Sequence, residues 1–133
     1  MSYHSGNNLI NPELIFEKSH LQAGMHIADL GCGRTGHIVF SGSKVVGERG
    51  IVYAVDILKD VLESIMARAE IESITNIETI WSDLEMPNSL SIVPKTLDIA
   101  FFINVFFHFT KYDIALNEIS RILKDKSRIV IVD

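Results

Sequence analysis

Five short apolar runs, separated by stretches with helical spacing, restrict this chain to one kind of architecture. The runs are Met25–Leu30, Ile51–Val55, Asn76–Trp81, Thr96–Ile103 and Arg128–Val132. They do not alternate strictly with polar residues, which is the pattern of strands covered on both faces. Between them, Leu58, Val61, Leu62, Ile65, Met66 and Ala69 recur on one face of a helix spanning 58–73. Tyr112, Ala115, Leu116, Ile119, Ile122 and Leu123 do the same for a later helix. Its opening, Thr110-Lys111-Tyr112-Asp113, resembles a capping box with Asp in place of Glu. Asn11-Pro12-Glu13 reads as an N-cap, a first-turn proline and a first-turn acid, for a helix running to about His20. A further helix is expected over His37–Val46, and Pro87 and Pro94 exclude a long helix from 85–95. Strands alternating with helices predict a parallel sheet with right-handed crossovers. The expected fold is a three-layer α/β/α, doubly wound and mainly parallel sheet of about five strands.

The chain has 133 residues, which corresponds to one domain, 1–133, with residues 1–22 as an N-terminal helix and lid segment. Apolar residues make up 47%, so disorder is excluded as a general description. Cys32 is the single cysteine, which excludes a disulfide scaffold and a thiolate zinc site. His20, His26 and His37 lack a metal-ligand spacing. No run approaches the roughly 18–20 apolar residues of a membrane span. The start, MSYHSGNN, has no signal-peptide pattern, and a cytosolic protein is expected. A net charge of −5 makes the chain a poor non-specific binder of nucleic acid, without excluding a specific RNA substrate.

Ligands of doubly wound sheets bind at the carboxyl ends of the strands. Asp29, Asp56 and Asp83 stand at the ends of the first three strands, beside the turn Gly31-Cys32-Gly33-Arg34-Thr35-Gly36. Glycines at such a turn permit a sharp bend and close approach of backbone to ligand. Asp56 follows Gly36 by 20 residues, where an acid can accept hydrogen bonds from ribose hydroxyls. A nucleoside-containing cofactor is implied. A pyrophosphate is disfavoured by Asp29, whose charge would lie close to the phosphates. A ligand with a sulfonium and an amino group is favoured by the same acids.

The segment Asp29-Leu30-Gly31-Cys32-Gly33-Arg34-Thr35-Gly36 resembles the first motif of the class I S-adenosylmethionine-dependent methyltransferases. Val52-Tyr53-Ala54-Val55-Asp56-Ile57, Ser82-Asp83-Leu84, Leu97–Phe101 with Asn104-Val105, and Ala115–Lys124 resemble later segments of that family. The resemblance covers nearly the whole chain. It implies that Asp29 and the backbone of Gly31 and Gly33 hold the methionine part of S-adenosylmethionine. It implies that Asp56 takes both ribose hydroxyls and that Ile57 packs on the adenine face. Asp83 would accept from the adenine amino group, the Leu84 N–H would meet the ring, and Asn104 would lie near the methionine amino group. S-adenosylhomocysteine would be the product.

The family's usual Pro-Gly-Gly turn is replaced here by Asp125-Lys126-Ser127. The usual final antiparallel hairpin is expected to be missing, leaving strand 5 as an apolar edge. Such an edge is an aggregation hazard unless covered. Its expected cover is a second copy, as in a homodimer, or a fused or partner domain. Methyl transfer needs a dedicated base only when the acceptor is protonated at neutral pH. His108 is the candidate base, read against a packed histidine among phenylalanines. Tyr3 and His4 are candidates for a lid over the cofactor, read against a frayed terminus. Trp81 is expected in the core, read against a stacking platform, and Cys32 is expected to be present only because it is small. Arg121, Lys124, Lys126 and Arg128 are read as helix-terminus cations rather than an RNA contact. The acceptor is read as a small molecule or a substrate presented by a partner. The other readings are a non-catalytic module binding S-adenosylmethionine or S-adenosylhomocysteine, and a nicotinamide-dependent oxidoreductase.

Overall fold

A computed structural model describes residues 11–103 and 109–132. Helix α1, Pro12–Ser19, opens at Asn11, whose side chain accepts from the Glu13 N–H at 3.0 Å. It is followed by β1 (His26–Leu30), α2 (His37–Val46), β2 (Ile51–Asp56), α3 (Lys59–Ile71) and β3 (Ile77–Trp81). After an irregular stretch come β4 (Leu97–Ile103), α4 (Tyr112–Ile122) and β5 (Leu123–Val132). The five strands form one parallel sheet in the order β3-β2-β1-β4-β5. Reversal of the order at β1 and β4 is what a doubly wound sheet requires, and it places the ligand edge at the carboxyl ends of these strands.

The two faces of the sheet are covered differently. On one, Phe16 of α1, Ile38, Val39, Phe40 and Val46 of α2, and Val61, Leu62, Ile65 and Ala69 of α3 close over Ile27, Val52, Ile99 and Phe101. Phe16 meets Phe101 edge to face, with ring centroids 5.9 Å apart. On the other face, Ala115, Ile119 and Ile122 of α4 pack with Leu84, Leu90 and Ile92 against Leu30, Val55, Ala100 and Phe102. The stretch between β3 and β4 thus forms part of a layer although it has no regular structure. Glu118, buried on α4, holds it there: its carboxylate accepts from the Ser89 N–H at 2.7 Å and pairs with Arg121. Arg121 in turn donates to the Leu90 and Ile92 carbonyls.

Three expectations need correction. Lys111, not Thr110, is the N-cap of α4, and no side chain caps it. Thr110 is drawn away by Glu85, whose carboxylate accepts both its N–H and its hydroxyl. Strand β5 begins at Leu123 rather than Arg128, because Leu123 pairs with Leu97 before the ladder resumes with Arg128 on Ile99. The Asp125-Lys126-Ser127 turn is therefore an excursion within the strand, closed by the Ser127 hydroxyl on the Lys124 carbonyl. Lys124 also reaches Asp98 at 3.0 Å. Finally, Trp81 is not in the core: it is 52% exposed at the carboxyl end of β3. Among the described residues no helix is long and apolar enough to cross a membrane.

Candidate functional site

The carboxyl ends of β1 and β2 meet at the glycine turn, with the carboxyl end of β3 on the far side of β2. Gly31, Gly33 and Gly36 all have left-handed backbone, with φ of 79°, 72° and 58°. Gly36 is also the N-cap of α2, and a Cβ there would lie 2.5 Å from Ile65 Cδ1 and 2.8 Å from Phe40 Cε2. Glycine suits this left-handed backbone, and a side chain there would have to push Ile65 and Phe40 aside. The Gly31 and Cys32 N–H groups donate to the Val55 carbonyl, which fastens the turn to β2. From outside, Arg68 of α3 lies 3.9 Å over the Phe40 ring and donates to the Thr35 carbonyl.

Asp56, the last residue of β2, joins the turn to the start of α3. One carboxylate oxygen accepts from the Gly33 N–H at 3.1 Å and the other from the Leu58 N–H at 3.0 Å. Each oxygen has a second lone pair, so two hydroxyl donors can still be accepted. Asp29 behaves differently. It is 3% exposed, and its Oδ1 has no hydrogen-bond partner among the described residues. Burial, and secondarily the Asp56 charge, push its carboxyl up to about 7. A buried carboxylate without a partner is costly, so a cationic or proton-donating ligand would relieve this site and a phosphate would not. Cys32 is buried, and burial together with Asp29 and Asp56 pushes its thiol far above the ordinary range, so it is no thiolate nucleophile.

Asp83 follows Ser82 just beyond β3, and its carboxylate accepts from the Glu85 N–H at 3.0 Å. Leu84 is buried next to it, whereas Ile57 is 52% exposed on the β2–α3 corner. Asp29, Gly31, Gly33, Asp56 and Ile57 are thus brought onto one end of neighbouring strands, with Asp83 and Leu84 beyond the next strand. Asn104, His108, Tyr3 and His4 lie outside the described residues. Three of the four basic positions at the other end are engaged locally: Arg121 with Glu118, Lys124 with Asp98, and Arg128 with the Ser19 carbonyl. One feature of the site escaped the sequence. The Trp81 indole N–H donates to the Ile57 carbonyl at 2.7 Å, with the Lys59 ammonium 5.4 Å above the ring. The only hint of it is an aromatic residue at a strand's carboxyl end, immediately before Ser82-Asp83.

Residues 21–133 match the family model of a methyltransferase domain. Among solved structures, a S-adenosylmethionine-dependent methyltransferase from Aquifex aeolicus is 26% identical and superposes with a TM-score of 0.81, over 92% of this chain and 63% of that one. A coclaurine N-methyltransferase bound to N-methylheliamine and S-adenosylhomocysteine is 22% identical, with a TM-score of 0.79 over 90% of this chain and 34% of the other. A putative S-adenosylmethionine-dependent methyltransferase from Methanococcus maripaludis is 21% identical, with a TM-score of 0.77 over 90% and 52%. At these identities the last two speak for the fold alone. The chain spans less than two thirds of the length of each of these three proteins. No curated protein matches it in sequence. The glycine turn, the acids at the strand ends and the unpartnered carboxylate suit a cofactor that carries a ribose and positive charge. The chain belongs to the methyltransferase domain family, whose cofactor is S-adenosylmethionine.

Proposed function

We propose that this domain transfers the methyl group of S-adenosylmethionine to a nucleophilic acceptor, either a small molecule or a substrate presented by a partner. The observation that carries this reading is the unpartnered, buried Asp29 oxygen beside Asp56 and the left-handed glycines. When bound, the cofactor supplies a methyl group activated by a sulfonium. The chain's own residues hold and orient it: Asp29 with Gly31 and Gly33 at the methionine end, Asp56 at the ribose, and Ile57, Asp83 and Leu84 at the adenine. Asn104 belongs to the methionine end in the same reading. Positioning of the nucleophile can contribute about 7–11 kcal/mol to such a displacement, so the reaction does not depend on a dedicated base. The β5 edge, where Ile129 and Ile131 are exposed, is the surface on which we place a second copy or a partner domain. Sedimentation at high protein concentration tests the first of these, and a monomer throughout would remove it.

Calorimetric titration with S-adenosylmethionine, S-adenosylhomocysteine and NADH tests the cofactor reading. Binding of the first two and not the third is expected. Asp56→Ala should weaken S-adenosylhomocysteine binding by about 2–4 kcal/mol, since two charge-assisted hydrogen bonds are lost without full additivity. Unchanged affinity would remove Asp56 from the ribose. Methyl transfer itself is tested by following S-adenosylhomocysteine formation across acceptors. A protein that binds the cofactor and forms product with none would count against catalysis.

A further inference from the structure

The corner between β2 and α3 carries two of the proposed cofactor contacts, yet packing does not hold it. Ile57 and Leu58 are both about half exposed. Helix α3 starts at Lys59 with Leu58 as its N-cap and no side-chain cap. What holds the corner is polar. The Leu58 N–H is taken by one oxygen of Asp56, the other oxygen takes the Gly33 N–H, and the Ile57 carbonyl is taken by the Trp81 indole N–H at 2.7 Å. Trp81 is well placed for this, because it pairs with Asp56 in the β2–β3 register, and the Ser82 N–H beside it donates to the Asp56 carbonyl.

We propose that Trp81 is a positioning residue for the nucleoside half of the cofactor, acting through the Ile57 carbonyl to hold the Asp56–Leu58 corner in its binding geometry. The inference rests on the cofactor reading above. Without the indole N–H, the Ile57–Leu58 peptide loses the bond on its carbonyl and is held only through its N–H on Asp56. The Asp56 carboxylate, bonded to that same peptide unit, then loses its fixed direction toward the ribose. A hydrogen bond made by a preformed site needs no ordering at the moment of binding, so its loss appears as lost affinity.

Trp81→Phe keeps an aromatic ring at a half-exposed position and removes the donor, so it opens no buried cavity. S-adenosylhomocysteine should bind this variant about three- to tenfold more weakly, the range expected for one hydrogen bond. Because the effect passes through Asp56, the same substitution in an Asp56→Asn background should cost less than about twofold. Lys59→Met removes the cation above the ring but leaves the indole donor, and should bind within about twofold of the unmodified protein. Circular dichroism establishes that each variant is folded at the titration temperature. Binding of Trp81→Phe within twofold of the unmodified protein would overturn the proposal. So would an equal loss in both backgrounds, or a Lys59→Met loss as large as that of Trp81→Phe. Failure of the unmodified protein to bind S-adenosylhomocysteine would overturn the cofactor reading instead.

Discussion

Two acids are buried among the described residues, and their surroundings differ in kind. Glu118, 4% exposed on α4, has each carboxylate oxygen engaged, one by the Ser89 N–H and one by Arg121. Asp29, 3% exposed on β1, has an oxygen with no partner among the described residues and a second carboxylate, Asp56, nearby. The first arrangement satisfies a buried charge within the fold and thereby pins the irregular stretch before β4 to a helix. The second leaves a charge unsatisfied within the fold, which is stable only if a proton or a ligand supplies what the protein does not. Burial is common to both acids; the oxygen without a partner is what sets Asp29 apart and what our functional reading rests on.

The largest expected effect tests Asp29. Burial and the Asp56 charge push its carboxyl from the ordinary 3.8 up to about 7, so the folded state holds the extra proton between those values. The stabilising contribution is complete below about pH 4 and is lost as pH rises through about 7. Asp29→Asn lacks this loss. The stability difference, variant minus unmodified, should grow by up to ~4 kcal/mol between pH 4 and 7 and stay level above. Urea denaturation across pH measures it, and parallel curves would show that Asp29 carries no strain. The same variant should bind the cofactor more weakly, because the uncompensated charge is what the ligand answers.

Glu118→Ala should act in the opposite sense at every pH near neutrality. Removing one partner of a buried pair costs about 3 kcal/mol, the lower end of the usual range because Arg121 is partly exposed and keeps two carbonyls. Chemical denaturation reads this, and limited proteolysis should cut within 85–95 faster. S-adenosylhomocysteine affinity should stay within about twofold, and a large loss would erase the contrast between the two acids. The smallest effect is expected for Arg34→Ala. Its ion pair with Asp60 joins the glycine turn to α3 but lies in solvent on both sides. Such pairs contribute little. No resolvable change in Tm is expected, and a clear drop would mean that the turn needs side-chain tethers as well as glycine.

The elements most legible in the sequence are those whose ends carry their own signals. Helix α2 runs from His37 to Val46 because Gly36 and Gly47 bound it, and α1 starts where Asn11 and Pro12 place it. The strand-end acids were legible as well, because a strand's direction and period fix which residues reach its carboxyl end. The start of β5 was not, since Leu123 becomes a strand residue only by pairing with Leu97. Nor was the cap of α4, where Thr110 satisfies Glu85, 25 residues away, rather than its own helix. Trp81 illustrates the same limit at the site: hydrophobicity suggested the core, but its ring stays half exposed at the carboxyl end of β3.

By itself the sequence determined the alternation of elements, the parallel sheet, and the gathering of acids and glycines at one end. These follow from local periodicity, from glycine's access to left-handed backbone and from the handedness of crossovers, all of which act over short stretches of chain. Only the tertiary structure decided which buried acid finds a partner, which aromatic ring stays outside and what its N–H holds. Those outcomes depend on groups far apart in sequence arriving within about 3 Å of each other, and no short window of residues contains that information.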